Sequence, residues 1–266
     1  MDTTILARSE GGVGRLTLNR PEQRNALTPD MMALLCQKLR EMEADPLVRC
    51  IVLDGAGDHF VAGGDIKAWS SLLPMTASER GDDFRARFDK VAPLIAALDS
   101  ISKPLIVAVK GYSAGAGLCL VLAADFVIAD ATAKFLFANI RVGLNPDLGL
   151  TYWLPRLIGE RQALRLTLLG SQLDAQEAKD IGIVDEVAPA GEIEAALDNL
   201  TKKLLATPSR AAFETKRLMR LSRDNTLAAQ FSAEVDGIVA CAGEADFVEA
   251  VTAFSERRPP KFGRGS

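Results

Sequence analysis

Over the first two thirds of the chain, short runs of apolar, branched residues alternate with longer stretches of helical periodicity, a pattern that predicts an α/β fold of repeated ββα units. Residues 3–8 and 13–19 are such runs, and Glu10-Gly11-Gly12 between them predicts a β-hairpin. Thr28 before Pro29 and Asp30 offers an N-cap with proline at the first helical position, so a helix is expected to about Ala44, where Asp45-Pro46 stops it. Residues 50–54 and 105–109 read as compact apolar strands that each enter a glycine-rich turn, with a charged, mainly helical stretch at 78–99 between them. Further strands are expected near 126–129, 134–137 and 183–187. From about Gly191 the strand candidates cease, helical periodicity takes over near 192–206, 209–221 and 227–242, and residues 259–266 read as a loose tail. The expected organisation is a core of residues 1–190 followed by a helical region of residues 191–266, whose surplus apolar faces predict an oligomer interface.

Composition narrows the function. Hydrophobic residues make up 48% and charged residues 25% of the 266, the balance of a folded globular body. The formal net charge is -4 and no basic run is interleaved with aromatics, which argues against nucleic acid as a partner. No basic segment followed by an apolar stretch opens the sequence, and no apolar run approaches the ~20 residues that span a bilayer. A cytoplasmic protein with no membrane partner is expected. Cys36, Cys50, Cys119 and Cys241 lack C-x-x-C spacing, and His59 is the lone histidine, so neither a metal site nor a disulfide is expected.

Two turns carry the candidate chemistry. The first reads Ala62-Gly63-Gly64-Asp65-Ile66-Lys67 and the second Gly111-Tyr112-Ser113-Ala114-Gly115-Ala116-Gly117. Unpaired backbone N–H groups at such turns can serve as donors to a developing negative charge, or the turns can be tight connections and nothing more. Together with Arg20-Pro-Glu-Gln-Arg-Asn-Ala-Leu27, they resemble the crotonase superfamily of enoyl-CoA hydratases and isomerases. The resemblance continues through Ala123-Ala124-Asp125, Lys134-Phe135, Gly143-Leu144, the Leu-Pro-Arg-Leu-Ile-Gly segment at 154–159 and the Ala-Lys-Asp-Ile-Gly-Ile-Val segment at 178–184.

That resemblance implies a crotonase-like spiral of ββα units, a C-terminal helical trimerisation region, assembly as a homotrimer or dimer of trimers, and an acyl-CoA substrate. CoA then enters as part of the substrate, with no separate cofactor. It further implies that the N–H groups of Gly64 and Ala116 hold the thioester oxygen, two donors offsetting enolate charge in a site with little water. Arg24 and Ala26 are expected near the nucleotide part of CoA, and Ala62, Asp65, Ile66 and Lys67 along the adenine and pantetheine. Arg24 also has a plain reading as surface charge. Arg257, Arg258 and Lys261 form a second basic cluster, and Lys261 and Phe262 resemble C-terminal residues that reach a neighbour's CoA.

The two glutamates that hydratases of the family resemble one another in having are replaced here by Cys119 and Asn139. A thiol and an amide are poor at deprotonating and splitting water. Cys119, between Leu118 and Leu120, reads as a small buried hydrophobe, Asn139 as a hydrogen-bonding group, and His59 as a surface or structural residue. Asp147, in Pro146-Asp147-Leu148-Gly149, matches a catalytic aspartate of some isomerases in the family and is also placed to cap the helix predicted at 150–158. The favoured expectation is isomerisation of a β,γ-enoyl-CoA with Asp147 as proton shuttle. The alternatives are a ring-thioester isomerase of phenylacetate type, a weak hydratase, and a non-catalytic CoA- or RNA-binding relative.

Overall fold

The computed structural model describes residues 3–64 and 66–263, without the side chains at 66–68. Strands β1 (Ile5–Glu10) and β2 (Val13–Leu18) form the antiparallel hairpin. Helix α1 (Pro29–Ala44) begins where its sequence signal lies, with the Met31 N–H donating to the Thr28 hydroxyl at 3.2 Å. After β3 (Cys50–Gly55) comes α2 (Ala77–Ser100), opened by a reciprocal capping box between Thr76 and Glu79.

The repeat then becomes plain. β4 (Leu105–Val109), β5 (Tyr112–Ala114) and α3 (Ala116–Ala123) make one turn, and β6 (Phe126–Asp130), β7 (Lys134–Leu136), α4 (Leu150–Ile158) and α5 (Glu160–Leu168) make the next. β8 (Gln172–Asp174), α6 (Ala175–Asp180) and β9 (Glu186–Ala188) close the series. Among the described residues one sheet runs β1-β2-β3-β4-β6-β9, parallel from β2 onward, and a smaller one runs β5-β7-β8. Each full turn lays one strand in each sheet before its helix, so the chain advances as the expected spiral. The main core lies between the sheets and α1 to α4, with Leu16, Leu53, Val107 and Phe135 fully buried. On the other face of the large sheet, α7 (Ile193–Leu205) presses Ile193 and Leu197 onto Val52, Ile106 and Ile128. Helices α8 (Ser209–Leu221), α9 (Leu227–Ala242) and α10 (Ala245–Ser255) follow.

Three expectations need correction. The strand expected at 183–187 starts only at Glu186, because the Ile183 and Val184 N–H groups both donate to the Ala178 carbonyl, at 2.9 and 3.2 Å, and wrap the end of α6. Those apolar residues are buried as a helix terminus, not as a strand. Helix α10 is additional to the three expected C-terminal helices. The tail is tied down as far as Gly263: Glu249 accepts the Lys261 N–H at 2.8 Å and Asp246 the Gly263 N–H at 3.1 Å. Residues 264–266 lie outside the described residues.

The Asp125 of the Ala-Ala-Asp segment is a structural hub. α8 has no buried residue of its own and is held instead by cations that reach Asp125 and backbone carbonyls of the body. Lys216 pairs with Asp125 at 2.5 Å and donates to the Lys103 carbonyl at 2.6 Å. Arg220 reaches Asp125 at 3.2 Å and the Leu98 and Ile101 carbonyls at the end of α2. Lys103, itself buried, caps α1 through the Met42 and Asp45 carbonyls at 2.7 and 2.6 Å. Positive charge at helix C-termini meets the negative end of each dipole.

Candidate active site

Strand register brings the two glycine-rich turns together. The chain after β3 runs parallel to β5, with Val61 bridged to Ser113, the Val61 N–H donating to the Tyr112 carbonyl at 3.0 Å and the Ala114 N–H to the Val61 carbonyl at 2.8 Å. Three residues beyond that bridge, on each segment, stand Gly64 and Ala116. Gly63 and Gly115, with φ of 113° and 50°, turn the chain through conformations that side chains oppose. A Cβ built on Gly115 would lie 3.6 Å from the Gly63 Cα and 3.9 Å from the Gly64 nitrogen, which measures how closely the turns approach. Neither the Gly64 nor the Ala116 N–H has an acceptor among the described residues. Ala116 is also the first residue of α3, so its N–H sits at the positive end of that helix.

Both positions line a cavity of about 180 Å³. Asn139 and Asp147 line the same cavity, on the segment between β7 and α4. The helix-capping reading of Asp147 is corrected: Gly149 holds the N-cap of α4 with no side-chain cap bond, and the Asp147 carboxylate instead accepts from the Asn139 amide at 3.3 Å. That amide also donates to the Asn145 carbonyl at 3.2 Å. Burial raises the Asp147 pKa above the ordinary aspartate value, and the Asn139 hydrogen bond opposes part of the rise. Cys119 is buried in α3 and does not line the cavity. Its thiol is pushed up by burial and, secondarily, by the neighbouring charge of Asp147, so it stays protonated.

The remaining expected residues fall around the first turn. The Ala62 N–H donates to the Arg24 carbonyl at 3.0 Å and the Leu27 N–H to the Gly63 carbonyl at 3.2 Å, laying the segment containing Ala26 beside it. Arg24 is exposed and its side chain has no hydrogen bond or ion pair among the described residues. Arg20 serves the loop, donating to the Ala26 carbonyl at 2.8 Å. Asp65, and the side chains of Ile66 and Lys67, lie outside the described residues. His59 accepts the Tyr112 N–H at 3.2 Å beneath the second turn and does not line the cavity. Arg258 is paired with Glu249 and Glu256, away from the cavity.

Sequence reasoning missed two groups. Asn25, fully buried, accepts the Arg20 N–H and donates to the Ala56 and His59 carbonyls, which makes it the clasp of the Arg-Pro-Glu-Gln-Arg-Asn-Ala-Leu loop. The aromatic wall was missed as well: Trp69 meets Phe84 edge-on at 5.6 Å and Phe84 stacks on Phe88 at 6.3 Å. The spacing of Phe84 and Phe88, one helical turn apart on α2, was its available signal.

Comparison with known proteins identifies the family and the fold. The family description "Enoyl-CoA hydratase/isomerase" matches residues 8–265. The chain is similar to 1,2-epoxyphenylacetyl-CoA isomerase of Escherichia coli, at 36% identity over 97% of each chain. It is also similar to crotonyl-CoA hydratase of Syntrophomonas wolfei, at 32% identity over 97% of each. A crystal structure of an enoyl-CoA hydratase from a Polaromonas species superposes with a TM-score of 0.89 at 32% identity, covering 97% of this chain and 99% of that one. With a family match over nearly its whole length and relatives above 30% identity across it, the chain belongs to the enoyl-CoA hydratase/isomerase family of the crotonase superfamily.

Proposed function

We propose that this protein is a cytoplasmic isomerase that moves the double bond of a β,γ-enoyl-CoA to the α,β position, with Asp147 as the single proton shuttle. The observation that carries this reading is one carboxylate sharing a cavity with two unpaired backbone donors, while the flanking positions hold a protonated buried thiol and an amide. Asp147 takes a proton from Cα, and the electron pair left behind delocalises through the thioester into a dienolate. The Gly64 and Ala116 N–H groups hold the dienolate oxygen. The electrons then return through the conjugated system, Cγ takes the proton from Asp147, and the double bond ends between Cα and Cβ. No water is consumed and the base is regenerated. CoA arrives with the substrate, its nucleotide part near Arg24 and Ala26 and its adenine and pantetheine along Ala62, Asp65, Ile66 and Lys67, with no separate cofactor.

Incubating the protein with a β,γ-enoyl-CoA in deuterated water should give the α,β isomer, with deuterium at Cγ to the extent that Asp147 exchanges its proton with solvent before returning it. Crotonyl-CoA run alongside should be hydrated at most slowly. Rapid hydration without migration would reverse the assignment, and a non-catalytic relative would give neither product. A ring-thioester rearrangement is the second reading. It is favoured by the aromatic wall of Trp69, Phe84 and Phe88 around a space of about 180 Å³, since an apolar cavity of about 150 Å³ holds benzene. The 36%-identical relative named 1,2-epoxyphenylacetyl-CoA isomerase supports it too.

The same reading includes assembly as a trimer or dimer of trimers through α9 and α10. Leu227, Phe231 and Ile238 on α9 and Phe254 on α10 are 87%, 65%, 69% and 86% exposed, an apolar stripe that a soluble chain covers by association. Sedimentation should return three or six times the 28.5 kDa chain mass. Phe231→Asp combined with Phe254→Asp should release monomers, and a monomeric wild type would refute the assembly.

A further inference from the structure

Beyond the 180 Å³ cavity, between α2 and α4, lies a second apolar space of about 530 Å³. Its walls include Ala92, Ile95 and Ala96 of α2 and Tyr152 of α4, and its outer side carries Asp99, paired with Arg223 of α8 at 3.0 Å. Two residues, Phe88 and Leu148, line both spaces. Phe88 is 38% exposed despite its size. Leu148 is stranger: its φ of 50° lies in the left-handed region, which a bulky residue seldom adopts. A leucine there, immediately after Asp147, is held by its surroundings against its own preference.

We infer that Phe88 and Leu148 form a partition that sets the size of the acyl group, confining it to a short or ring-sized unit beside Asp147 and shutting off the space between α2 and α4. The inference rests on the reading of the 180 Å³ cavity as the acyl site, and it adds the residues that decide which acyl groups fit. The second space has the makings of a tail groove: small alanines on one wall, aromatic and aliphatic surface on the others, an opening to the surface, and the two shared side chains at its inner end. A chain too long for the inner cavity has to displace one of the two partition side chains, while one that fits leaves both in place. Removing either side chain joins the spaces and turns a short-acyl site into a long-acyl site. Because Leu148 sits on the strained turn and Phe88 on a regular helix, the two can be altered independently.

The test measures equilibrium binding of saturated thioesters, which carry no double bond to move and so report fit separately from chemistry. Wild type should bind butanoyl-CoA at least tenfold more tightly than dodecanoyl-CoA. Leu148→Gly, which also relieves the backbone, and Phe88→Ala should each shift that ratio at least tenfold toward dodecanoyl-CoA. Phe88→Ala keeps the question answerable if the turn variant fails to fold. Equal binding of both thioesters by wild type, or an unchanged ratio in the folded variants, overturns the partition while leaving the isomerase reading intact. Failure of wild type to bind any acyl-CoA overturns both.

Discussion

Asp147→Asn lowers the turnover of a β,γ-enoyl-CoA by about 10²- to 10⁴-fold, the usual contribution of a positioned proton-transfer group, with little change in acyl-CoA affinity. The exchange is nearly isosteric and keeps an oxygen for the Asn139 amide, which donates at 3.3 Å, so the wall of the cavity is preserved and only the proton acceptor is lost. The pH dependence separates this role from a structural one. Burial raises the carboxyl above the ordinary aspartate value, and the working form in the proposed shuttle is the carboxylate, so kcat should fall as pH drops through that raised value. Stability runs the other way. A folded-state pKa above the unfolded one means that folding favours the protonated form, a contribution fully present below the unfolded value near 3.9 and lost as pH rises through the folded one. The Asp147→Asn protein escapes that loss and should melt at or above the wild-type temperature at pH 7. An unchanged rate would remove Asp147 from the mechanism, and a reduced rate with a lower melting temperature would make it a packing residue.

Ala116→Pro should cost about 10²- to 10³-fold in kcat, or about 2.7 to 4 kcal/mol, the range measured for losing one donor to an oxyanion. Proline has no N–H, and the first helical position tolerates it because that N–H has no partner within the helix. Ala116 occupies that position in α3, directly after the Gly115 N-cap. Ala116→Gly is the control: it keeps the N–H and should remain within a few-fold of wild type. A folded Ala116→Pro protein of undiminished rate would show that the thioester oxygen is held elsewhere.

Local signals carried much of the fold. Thr28-Pro29 marks the start of α1, the apolar run at 105–109 is β4, and the periodicities at 209–221 and 227–242 are α8 and α9. Elements defined by partners were harder to see. β5 and β8 are three residues each, too short for an alternating pattern, and exist as strands because β7 lies between them. The apolar faces of α10 are largely exposed within one chain, Phe254 and Val248 at 86% and 63%, so burial within the chain gives little sign of that helix. At the site, the glycine-rich turns and Asp147 were legible as motifs, whereas their meeting depends on the Val61–Ser113 bridge between distant segments. The capping reading of Asp147 failed because Gly149, in the left-handed conformation, takes the cap and leaves the carboxylate free to meet Asn139.

That bridge divides the labour of the site in a way selection can use. In the proposed mechanism the polarising half is main chain, fixed by where two extended segments pair, and a substitution that keeps both the backbone path and the N–H leaves it in place. The proposed proton-handling half is the Asp147 carboxylate with the Asn139 amide that donates to it, two side chains that can be exchanged one at a time. On that reading, a change in the proton-handling side chains alters the reaction while the thioester-activating backbone stays in place.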